Sequence, residues 1–119
     1  MNKEQFIIGL ENAVTNSLTD DVTYVLENVN TKLDQEIKDL SKWYNGLDES
    51  GKRHIKTLIK MSGFHAMFGV MCVLDGVRAL EPESDDEKIE IYFESNGTKH
   101  LINEEKGEYL HDIWKDRNG

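Results

Sequence analysis

At 119 residues the chain has the length of one domain, enough to bury a single core. Its 23 acidic residues outnumber the 14 basic ones, giving a net charge of −9 that excludes phosphate backbones and anionic membrane surfaces as expected partners. Charged residues at 31% with a single proline exclude a disordered chain, and one cysteine excludes an internal disulfide.

The N-terminal stretch MNKEQFIIGLENAV shows no charged leader followed by an apolar core and a cleavage site, so the expectation is a cytoplasmic protein. Phe6, Ile7, Leu10, Ala13 and Val14 recur at helical spacing. Thr19, Asp20 and Asp21 then offer a cap and an acidic first turn for a second helix. Its stripe of Val22, Leu26, Val29, Leu33, Ile37, Leu40 and Tyr44 predicts one long helix against one core, loosened by Asn28 and Asn30 and ended by Asn45-Gly46.

Asp48 or Ser50 can cap the next helix, predicted from about Glu49 to Val77. Ile55, Leu58, Ile59 and Met61 make its first half amphipathic. From Phe64 to Leu74 apolar residues cover the whole circumference, which predicts burial on most sides and the centre of the core. That run of 11 residues is too short for a bilayer span. Gly63, Gly69 and Gly76 suit close packing, with a break at Gly63 or an early end at Asp75-Gly76 as open alternatives.

Residues 81–87, EPESDDE, form a linker. Beyond it Ile89, Ile91 and Phe93 alternate with Glu90, Tyr92 and Glu94, the period of a half-buried strand. Asn96-Gly97 predicts a two-residue type I′ hairpin that pairs Glu94 with Lys99, Phe93 with His100, Tyr92 with Leu101 and Ile91 with Ile102. The Ile/Phe face must then dock on helices or another strand. Asn103 is placed to cap a closing helix with Glu104 and Glu105 in its first turn and Tyr109, Leu110, Ile113 and Trp114 buried. The fold class is therefore α+β in a single domain: three or four helices around a central apolar helix, a hairpin in the C-terminal half and a last helix.

No catalytic constellation emerges. His54, His65 and Cys72 share one helical face, but a rise of about 1.5 Å per residue spreads them too far for one metal ion, so no metal and no cofactor is expected. Cys72 lies in the apolar run, where a thiol is inert and its pKa raised. His111-Asp112 lacks the further ligands of a metal motif and reads as part of a packed helix. Asp75 has two readings. It is an acid that keeps its proton or awaits a partner's cation, or it accepts backbone N–H groups in an Asp-Gly turn or pairs with Arg78. A small-ligand pocket lined by His65, Cys72 and Asp75 is the alternative functional reading.

The acidic segment from Glu81 to Glu94 holds seven acids against Lys88, a local charge of −6. It is either a solvated linker or a docking surface for a basic protein, with Glu83, Asp85, Asp86, Glu90, Tyr92 and Glu94 in contact. A homodimer through the hairpin's edge is a third reading.

The chain resembles small acidic bacterial proteins with an F-x-x-G-L opening (Phe6, Gly9, Leu10), a W-x-x-x-L before a helix (Trp43, Leu47), an H-A-x-F…L-D-G core (His65, Ala66, Phe68, Leu74, Asp75, Gly76) and an L-H-D ending (Leu110, His111, Asp112). In size and charge it is also similar to immunity proteins, which implies a non-enzymatic inhibitor of a basic toxin, for example a toxin nuclease domain.

Overall fold

The computed structural model describes residues 1–30, 32–81 and 87–119. It is an α+β protein with α1 (Lys3–Leu10), α2 (Leu18–Glu27), α3 (Gln35–Asn45), α4 (Glu49–Leu74), β1 (Tyr92–Ser95), β2 (Thr98–Leu101) and α5 (Leu110–Asn118). A π-helical turn, Glu11–Thr15, follows α1. The chain divides into two compact units, one of Met1–Asn12 with Phe64–Gly119 and the other of Ala13–Gly63. The long helix α4 contributes its first half to the second unit and its second half to the first.

The helix starts follow from short polar side chains. Asn2 and Gln5 form a reciprocal capping box on α1. Asp34 accepts the Ile37 amide at the start of α3 (2.9 Å), and Asp48 accepts the Gly51 amide at the start of α4 (2.7 Å). The end of α4 is a Schellman turn: Gly76 takes φ +77°, and the Val77 and Gly76 amides reach back to the Cys72 and Val73 carbonyls.

In the unit Ala13–Gly63, the helix expected to run through Val22–Tyr44 is broken. It begins at Leu18, earlier than the Thr19–Asp21 caps suggest, and stops at Glu27, with residues 28–30 and 32–34 outside any helix. Asn28 and Asn30 favour local side-chain hydrogen bonds over helix, as the Asn30 side chain shows by accepting the Lys32 amide. The break lets α3 fold back on α2. There the Ser41 hydroxyl and the Asn45 amide (3.0 Å) both donate to the Leu26 carbonyl near the end of α2. Leu26 and Tyr44 are buried, whereas Val29 and Leu40 of the expected stripe are exposed, because they no longer lie on one continuous face. The helix α4 runs unbroken through Gly63, whose missing Cβ makes room for Leu18.

In the other unit, Ile7 of α1, Met71 of α4, Ile102 and the Leu110, Ile113 and Trp114 of α5 form the core. Phe64, Met67, Phe68, Met71 and Leu74 face it from α4, spaced by three and four residues. His65, Ala66 and Val70 on the opposite side are exposed, so the run from Phe64 to Leu74 is buried on one face and not on most sides. Apolarity at all positions does not dictate burial at all positions when neighbours pack from one direction. Continuity through Gly63 also gives α4 an 18-residue window of mean hydropathy 1.5, so by length and composition alone the helix could cross a membrane; the 11-residue count missed this.

Candidate partner-binding surface

The hairpin is built by its turn. Asn96 and Gly97 both take positive φ, +52° and +79°, the type I′ geometry whose twist matches paired strands. The register is the predicted one: Tyr92 with Leu101, Phe93 with His100, Glu94 with Lys99, Ser95 with Thr98. The Ile102 amide donates to the Ile91 carbonyl (2.9 Å) and extends the ladder to the hairpin's base.

Among the described residues, only that base is anchored in the core. Ile102 is buried and Ile91 packs against the core, while all of β1 is exposed and Phe93 does not dock as its pattern suggested. Asn103 replaces apolar docking with hydrogen bonds. Its buried amide donates to the Leu74 and Ile89 carbonyls (2.7 Å each) and accepts the Ile91 amide (2.9 Å), tying the hairpin to the end of α4. It is therefore not the cap of a closing helix, which starts six residues later than expected, at Leu110 with Tyr109 in the cap position.

On the projecting strand, Tyr92 and Glu94 share a face by the two-residue period. The Tyr92 hydroxyl donates to the Glu90 carboxylate (2.8 Å), which fixes the ring beside the acid. This hydrogen bond, with the charge of Glu90, pushes the phenol's pKa up. Glu94 meets Lys99 at 4.0 Å, the long limit of an ion pair, with both side chains more than half exposed, an arrangement worth little. Among the described residues no cation lies within ion-pair distance of Glu90. Glu83, Asp85 and Asp86 of the expected surface lie outside the described residues.

The alternative trio is not gathered in one place. His65 is exposed and meets Phe64 edge-on. Cys72 is buried, and desolvation raises its thiol pKa, as expected for an inert cysteine. Asp75 lines a cavity of 920 Å³ together with Arg78, Glu87, Lys88, Asn103 and Glu105, with neither His65 nor Cys72 in its wall.

The Asp75 carboxylate is 2% exposed and accepts the Leu110 amide (3.0 Å), the His111 amide (2.8 Å) and His111 Nδ1–H (2.6 Å). It is thus the N-cap of α5 supplied from 35 residues away, since Tyr109 at the cap position offers no side-chain acceptor. This is a structural role as an acceptor of backbone N–H groups, but of a distant helix and not of its own Asp-Gly turn. A carboxylate only accepts, so Nδ1 of His111 carries the hydrogen, and the ring is further held by stacking on Tyr109 and by the Phe68 edge. Nε2 lies 3.5 Å from Asp112. No set of three metal-ligating side chains occurs among the described residues.

Asn103 and His111 were not singled out correctly from the sequence. The lack of a side-chain cap at Tyr109 signals that some distant group satisfies the helix start, which points to Asp75 and to neither Asn103 nor His111. No protein family, curated protein or solved structure matches the chain.

Proposed function

We propose that this is a non-enzymatic binding protein that neutralises a basic protein partner in the manner of an immunity protein. The observation that carries this reading is the partition of charge between the two units. Ala13–Gly63 holds seven basic and eight acidic residues, whereas the remaining segments hold seven basic and fifteen acidic ones. The acidity is thus concentrated in the unit that projects the hairpin, where Glu94 meets Lys99 only at 4.0 Å and, among the described residues, no cation pairs with Glu90. Clustered charge accelerates encounter and rejects partners of the same sign, and an anchored aromatic such as Tyr92 supplies contact area at low entropic cost. Glu83, Asp85 and Asp86 belong to the same surface in this reading, and a cytoplasmic location goes with it.

The test is capture from the native host's lysate with the purified protein, at low and high salt, beside an E90K/E94K variant. A basic protein retained at low salt, weakened by salt and lost with the variant, is the expected result. Capture of nothing, or of a partner indifferent to salt and to the charge reversal, ends this reading.

A further inference from the structure

The hairpin has two edges, and they differ. Beside β2, residues Lys99–Ile102 border a cavity of 520 Å³ whose wall includes Met1–Glu4 at the start of α1. The four residues of β1 are all exposed. The ladder bond between Ile102 and Ile91 fixes which backbone groups point outward. Hydrogen-bonded pairs alternate along an antiparallel ribbon, so Phe93 and Ser95 bond to β2 while Tyr92 and Glu94 present N–H and C=O to solvent. Such an edge is a template for another strand. The side chains bordering it are Glu90, Tyr92 and Glu94, with Tyr92 held by Glu90.

We propose that the outer edge of β1 receives an extended basic strand of the partner, which adds a third strand to the hairpin. This rests on the function proposed above and specifies how its surface is used. Charge selects the occupant. A strand with lysine or arginine at alternate positions places them opposite Glu90 and Glu94, where cross-strand ion pairs are favourable. A second copy of this chain fits badly: in a twofold pairing centred on Tyr92, Glu90 of one copy faces Glu94 of the other. Backbone bonds to Tyr92 and Glu94 supply affinity, and the acidic face supplies selectivity.

The probe is a peptide of about seven residues alternating lysine and valine, long enough to cover one strand, titrated into the isotopically labelled protein. A second peptide of the same sequence carries backbone N-methyl groups on the residues that would bond to the edge. The unmodified peptide slows hydrogen exchange at the Tyr92 and Glu94 amides, and N-methylation weakens binding on the order of tenfold by removing two hydrogen bonds. E90K/E94K weakens both peptides. Equal affinity for both peptides, or protection at other amides, overturns strand addition and leaves the acidic surface standing. Binding of neither overturns both. Protection of Tyr92 and Glu94 that rises with protein concentration in the absence of peptide assigns the edge to a second copy and overturns the proposal.

Discussion

Asp75 decides more than its position at the end of an apolar helix suggests. Its three hydrogen bonds replace the missing cap of α5 and hold His111 at the edge of the core. Replacing it with alanine leaves two buried-side amides and an imidazole without acceptors, so D75A lowers unfolding stability by about 2–3 kcal/mol, while D75N, which keeps an acceptor oxygen, loses roughly half of that. Urea denaturation at neutral pH checks the order. Equal loss in the two variants would show that charge, and not acceptor geometry, is what α5 requires. Chain position explains why the sequence did not reveal this. Asp75-Gly76 announces a turn, and the turn is there, but the partner of its carboxylate is set by a fold-back of 35 residues that no local pattern encodes. Asn103 failed in the same way: a residue ideal for capping a helix spends its amide on three carbonyl and amide groups brought together only by tertiary structure.

At the scale of elements, local chemistry was legible wherever two neighbours in sequence are neighbours in space. The hairpin register follows from Asn96-Gly97 because a two-residue turn leaves one pairing open, and the Leu110, Ile113, Trp114 stripe follows from helical period. The break between α2 and α3 was legible only in part, because an apolar stripe can be continued across a break by coincidence of spacing. Contacts between elements were not legible. Glu11, in the turn after α1, accepts Arg117 Nε at 2.7 Å and Nη2 at 2.9 Å, and Asn118 at 3.0 Å, from the end of α5. The guanidinium hydrogen bonds, partly opposed by desolvation, hold the Glu11 pKa below its ordinary value. A lowered carboxyl contributes stability above the unfolded-state value and loses it as pH falls through the folded one. The stability difference between the wild type and E11Q is therefore present at neutral pH and disappears in acid, once pH has fallen below the usual glutamate range. Denaturation curves of both proteins across that range test it, and a difference that stays constant with pH would remove the Glu11–Arg117 link as its source.

For the whole molecule, the two units differ in how they are held. Fully buried apolar side chains of the first include Trp114, Ile7, Met71 and Leu110, whereas in Ala13–Gly63 Leu26 and Tyr44 are the buried apolar residues and Trp43, Leu58 and Met61 are exposed. Opening free energy scales with buried apolar contact, so amides of α2 and α3 exchange faster than those of α5 and the second half of α4. Native-state hydrogen exchange resolves this helix by helix, and the reverse order would show that burial does not rank the two units.

Trp114 and Ile7 share one core although more than a hundred residues separate them. While the ribosome is still extending the chain, Ala13–Gly63 has all its own pieces and can begin to form α2 and α3. Ile7 and its neighbours in α1, made before the rest of their core, must wait until Leu110, Ile113 and Trp114 have left the exit tunnel. The acidic unit is thus completed only once those three residues have emerged, and until then Phe6, Ile7 and Leu10 lack the cover of α5.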